Sequence, residues 1–118
     1  MFSMYRGINL YFIGVIRTEN DLGEAICNVF VRNSVPFFSR YEHGVIYIES
    51  SYVNVELKSI YRTEYPEAKL ILNIRVSFTY NEHVKYRVLS IVREIVNVLR
   101  SLRFRLVGFD SCIHARAL

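Results

Sequence analysis

At 118 residues the chain has material for one hydrophobic core rather than two, and an apolar content of 52% excludes a compositionally disordered segment. Its apolar stretches are strand-length and broken by Arg, Asn or Glu, short of the roughly 20 residues that span a bilayer. The formal charge of +4 is uneven, because residues 81–118 carry seven basic side chains against three acidic ones while residues 1–80 balance at eight each. A one-sided basic field of this kind suits an anionic partner.

Ile8 to Ile16 is rich in aromatic and β-branched residues and reads as a mostly buried strand, with Gly14 marking a bulge or a close backbone approach. The segment Thr18-Glu19-Asn20-Asp21 resembles a helix start rather than a signal-peptide cleavage site. A cytoplasmic chain without membrane contact is therefore expected. Leu22, Ala25, Ile26, Val29 and Phe30 then form one helical stripe. That helix should stop near Asn33-Ser34, since Pro36 disfavours helical geometry at Val35.

The stretch from Phe37 to His43 has no clear period, and Gly44 marks a turn. Val45–Glu49 and Val53–Tyr61 read as a hairpin around Ser50-Ser51-Tyr52, and Thr63-Glu64-Tyr65-Pro66 as a further turn. From Ala68 to Phe78 the residues alternate well: Leu70, Leu72, Ile74, Val76 and Phe78 face one way, Lys69, Asn73, Arg75 and Ser77 the other. Thr79-Tyr80-Asn81-Glu82 has the capping-box form and opens a helix with its core stripe at Val84, Val88, Ile91, Val92, Ile95, Leu99 and Leu102. Phe104 to Phe109 makes a last strand, with Arg103 and Arg105 on one face, and Gly108 ends or bends it.

This order, β-α-β-β-β-α-β, predicts a single α+β domain over residues 1–118, a ferredoxin-like two-layer sandwich with both helices on one face of an antiparallel sheet. If the helices take the apolar faces, the open face gathers Lys58, Lys69, Asn73, Arg75, Arg103 and Arg105. Arg93 and Arg100 fall on the outer side of the second helix. Lys58, Lys69, Arg75, Arg93, Arg100, Arg103 and Arg105 are thus the candidate RNA-binding residues, because guanidinium forks suit phosphate.

No residue set spells out a catalytic mechanism. Gly7, Gly14 and Gly23 are too widely spaced for a phosphate loop. Asp110, Ser111 and His114 lack a nucleophile elbow, and Cys112 with His114 makes only two metal ligands. No cofactor and no metal are expected, and Cys27 and Cys112 read as buried reduced thiols. The chain lacks Gln and Trp, and 12 of its 15 basic residues are Arg, a composition that fits a thermophile.

From residue 70 onward the chain resembles the small ferredoxin-like protein subunit of archaeal and eukaryotic ribonuclease P. A strand like Leu70–Arg75 leads into a long amphipathic helix, here His83–Leu102, then a basic strand and a glycine-containing segment ending at Ile113. Gly108 and Ile113 fit the family's Gly-x-Ser-Gly-Thr-Ile frame, whereas Asp110, Ser111 and Cys112 depart from it. The stretch from Phe37 to Tyr52 looks like an extra strand.

The resemblance implies a non-catalytic accessory subunit of a tRNA-processing ribonucleoprotein. Its partners would be a structured RNA, catalytic or precursor tRNA, and a companion protein, with RNA contacts at Arg75, Arg103 and Arg105. A second likeness, through Ser90-Ile91-Val92-Arg93, is to the small dimerising subunit of the archaeal KEOPS tRNA-modification complex. It implies instead a homodimer or protein-interaction module without direct nucleic-acid binding.

Overall fold

The computed structural model describes residues 2–16, 19–62 and 70–117, with side chains described over 4–16, 21–59 and 71–113. The element order is β1 (Phe2–Ile16), α1 (Glu19–Arg32), β2 (Phe37–Glu42), β3 (Val45–Ser50), β4 (Val53–Arg62), β5 (Leu70–Tyr80), α2 (Lys85–Ser101) and β6 (Arg105–Ala117). All strand pairs are antiparallel, in one sheet of order β2-β3-β4-β5-β1-β6. The core quartet β4-β5-β1-β6 with two helices has the ferredoxin-like arrangement. β2 and β3 extend it at one edge.

The alternation read from the sequence sets the faces. Val53, Val55 and Leu57 of β4 and Leu72, Ile74, Val76 and Phe78 of β5 are buried beneath the helices. Their odd–even partners Asn54, Glu56, Lys58, Asn73, Arg75 and Ser77 lie on the uncovered face. Helix α1 contributes Leu22, Ile26, Val29 and Phe30, and α2 contributes Val88, Ile91, Val92, Ile95 and Leu99. Burying each such aliphatic side chain is worth about 1.5–3 kcal/mol, which holds the two layers together. The helices pack chiefly over β3, β4 and β5; β1 still gives Phe12 to the core, while Leu106, Phe109 and Ile113 of β6 stay exposed.

Several local expectations are corrected. Phe37–Glu42 is a strand, although neither of its faces is apolar, because the left-handed pair His43 (φ 51°) and Gly44 (φ 78°) turns it back on β3. Thr79 belongs to β5, and Asn81 holds the turn that leads into α2, whose own N-cap, Val84, has no side-chain cap. The Asn81 Oδ1 accepts from the backbone N–H groups of His83 (3.0 Å) and Val84 (3.1 Å).

β6 runs through to Ala117 instead of ending near Gly108, and β1 begins at Phe2, because the two pair along their whole length. Gly108 does bend the strand: Leu106 pairs with Phe12 and Gly108 with Tyr11, which leaves Val107 as a bulge. Cys112 is exposed rather than buried, while Cys27 is half-buried.

Both helices end in Schellman turns. Val35 N–H donates to Phe30 O (3.0 Å) and Ser34 N–H to Val31 O (3.1 Å), and Phe104 and Arg103 repeat the pattern onto Leu99 and Arg100 at 2.9 Å each. Ser34 and Arg103 therefore take the left-handed conformation, with φ of 56° and 64°. Arg103 is a turn residue, so it does not share the strand face with Arg105 that the alternation predicts. The expected Thr18 helix start, the turn at 63–66 and the position of Lys69 lie outside the described residues.

Candidate nucleic-acid interface

The seven candidate basic residues divide between two surfaces. Lys58, Arg75 and Arg105 stand on the uncovered sheet face. One cross-strand row reads Arg105–Ile13–Asn73–Lys58, and the next reads Gly108–Tyr11–Arg75–Glu56–Tyr47–Arg40. Three strand spacings set Arg105 and Lys58 about 14 Å apart. Arg93 and Arg100 lie on the exposed side of α2, on the far side of the two layers from that face. Arg103 sits in the turn that ends α2, and Lys69 is outside the described residues.

Two of the cations on the sheet face are tied to carboxylates, while Lys58 and Arg105 make no ion pair among the described residues. Arg75 is bonded to Glu56, and Arg40 to Glu42 and, at 3.1 Å, to Glu49. The Arg40 guanidinium also stacks over the Tyr47 ring, 4.1 Å from its centroid. Asp110 accepts from Asn9 Nδ2 (2.6 Å) and the Tyr11 hydroxyl (2.8 Å), and Ser77 donates to Asn9 Oδ1 (2.6 Å). These bonds hold the Asp110 carboxyl below its ordinary range, Asn9 first and Tyr11 second, and hold the Tyr11 phenol above its own. Among the described residues of this face Arg40, Lys58, Arg75 and Arg105 are balanced in number by Glu42, Glu49, Glu56 and Asp110, although only Arg40 and Arg75 are paired directly.

The outer side of α2 is different. Tyr86, Arg93 and Arg100 recur every seven residues, with Ser90 and Asn97 between them and Arg87 beside them, all exposed. The one acidic residue within the helix, Glu94, is turned toward α1, where Asn33 Nδ2 donates to it at 3.0 Å and Arg32 lies 3.7 Å away. Among the described residues no ion pair engages Arg87, Arg93, Arg100 or Arg103. Sequence reasoning does not single out Arg87 or Tyr86. The signal is there in the seven-residue recurrence, which becomes an exposed stripe only once the burial of the opposite side is known.

Among the described residues nothing gathers the polar side chains of β6 into a reactive centre. Asp110 is committed to Asn9 and Tyr11, Ser111 points to the other face of the strand, and the side chain of His114 is outside the described residues. Among the described residues no group of three or more His, Cys, Asp or Glu could hold a metal ion, and no helix is long and apolar enough to cross a membrane. A groove of about 580 Å³ lies on the sheet face and is lined by Tyr47, Asn54, Glu56 and Arg75. Its charged members neutralise each other.

No protein-family model matches the chain, and no curated protein does. Two solved structures are similar over 96% of it. One is an unknown protein from Galdieria sulphuraria, at 12% identity and a TM-score of 0.41. The other is the de novo designed protein Foldit4, at 14% identity and a TM-score of 0.39. The chain spans half the length of the Galdieria protein and 98% of the designed one.

Proposed function

We propose that the protein is a non-catalytic RNA-binding subunit and that the outer face of α2 is its phosphate-contacting surface. The observation that supports this reading is the stripe of Arg93 and Arg100, continued by Arg103, with no acidic side chain engaging it among the described residues. Seven residues of helix put Arg93 and Arg100 about 10.5 Å apart, far enough to take separate phosphates of one backbone. Tyr86 at the head of the stripe adds an exposed aromatic ring. The resemblance to the ribonuclease P subunit from Leu70 onward takes in this whole helix. A role beside a catalytic or precursor tRNA therefore follows as part of the same proposal.

The test is RNA affinity against salt. Binding of a folded tRNA by the full chain should weaken steeply as salt rises, because phosphate contacts release counterions. Replacing Arg93 and Arg100 together by Ala should lower the affinity across RNA sequences and reduce the salt slope by roughly one for each phosphate that is no longer neutralised. Equal affinity and an equal slope in that variant would sink the proposal. So would an affinity that is indifferent to salt.

A further inference from the structure

The two edges of the sheet differ. β2 is short, six residues, and carries Arg40 and Glu42 tied in ion pairs, features that discourage pairing with another strand. β6 is thirteen residues long, and its two charged side chains within the described part are Arg105, at its start, and Asp110, held by its neighbour strand. On its helix side Leu106, Phe109 and Ile113 point into solvent, Phe109 at 72% exposure and Ile113 at 60%. The helical layer does not reach them, because α1 and α2 pack over β3, β4 and β5.

We infer that β6 pairs with β6 of a second copy of the chain, antiparallel about a twofold axis at Ser111, extending the six-stranded sheet to twelve strands. The strand matches itself. Ser111 is the midpoint of Arg105–Ala117, so a twofold there overlaps the full strand. The same register sets Phe109 of each copy opposite Ile113 of the other, on the helix side. That brings the two most exposed apolar residues of the strand into aromatic–aliphatic cross-strand pairs. The bulge at Val107 lies four residues from the axis and alters only the outer pairs.

An edge about 44 Å long and a sheet about 10 Å thick give a contact on the order of 900 Å² over both copies. That is the size of a reversible interface. The dimer should therefore form at micromolar concentration and come apart on dilution.

Sedimentation equilibrium of the full chain, without RNA, tests the pairing separately from the RNA reading. Twice the chain mass is expected at high micromolar concentration, and Phe109→Asp should weaken association by more than about tenfold by placing a charge at the contact. Cross-linking gives a second readout that does not depend on how that variant folds. In a Cys112→Ser background, Ser111→Cys should form a disulfide-linked dimer under mild oxidation, whereas Ser39→Cys on the β2 edge should not. A monomer at every concentration overturns the inference. So does a dimer that survives Phe109→Asp in a folded chain and links at Ser39 as readily as at Ser111.

Discussion

The ring of Phe104 lies against the α-carbon of Gly14. A Cβ built on Gly14 would stand 2.7 Å from Phe104 Cγ and closer still to the ring edge, nearer than carbon atoms approach one another. Phe104 follows the Schellman turn of α2 and is buried at 4% exposure, so its ring closes the end of the core where the helix gives way to β6. The glycine is needed for room rather than for a special backbone angle.

Gly14→Ala should accordingly destabilise the fold by about 1–3 kcal/mol through overpacking. Phe104→Ala should cost more, about 3–5 kcal/mol, through the cavity it leaves. The double variant should be less destabilised than the sum of the two, because the added methyl occupies part of the vacated space. Urea unfolding of the three variants checks this, and strict additivity would contradict the contact.

Ser34 adopts the left-handed conformation at the end of α1, where its N–H closes the turn onto Val31. A side chain at that angle costs about 1–2 kcal/mol, part of which glycine gives back as entropy in the unfolded chain. Ser34→Gly should raise stability by about 0.5–1 kcal/mol, while Ser34→Val, with a branched Cβ at positive φ, should lower it. Thermal unfolding gives the order directly.

Asp110 supplies a pH dependence. Its carboxyl is held below the usual value by donors from Asn9 and Tyr11, so the folded state binds the proton less tightly than the unfolded state does. The resulting stabilisation is present in full above the unfolded value, near 3.9, and is lost as the pH falls through the lower folded value. Asp110→Asn should flatten the fall in stability across that acid window. Tyr11→Phe should move the Asp110 titration upward when it is followed by carboxyl NMR.

The Arg75–Glu56 pair separates the two basic surfaces. It is part-exposed, and pairs of this kind are worth about 0–1 kcal/mol. Arg75→Ala should leave stability nearly unchanged. It should also leave RNA affinity nearly unchanged if α2 makes the phosphate contacts, in contrast to Arg93→Ala with Arg100→Ala. An equal loss of affinity in both variants would assign the RNA to the sheet face as well.

Much of the architecture is legible in one dimension, wherever a period runs long enough to average over exceptions. The strict alternation of Leu72 to Phe78 and the stripe from Val88 to Leu99 each name one buried face, because burial of that face dominates the local free energy. The stop of α1 at Asn33-Ser34 is legible too, since Pro36 constrains the residue before it. β2 is not, because an edge strand with two exposed faces has no hydrophobic period to read.

The basic residues show the same boundary more sharply. Composition alone determines that the net charge lies after residue 80. Only the tertiary structure decides what that charge is free to do. Arg75 meets Glu56 across a strand pairing between residues nineteen apart, and Glu94 is drawn aside by Asn33 from sixty-one residues away. Those distant partners pair off Arg75 on the sheet face and turn Glu94 away from the α2 stripe. Neutralisation depends on separations in space, which a charge count along the chain does not contain.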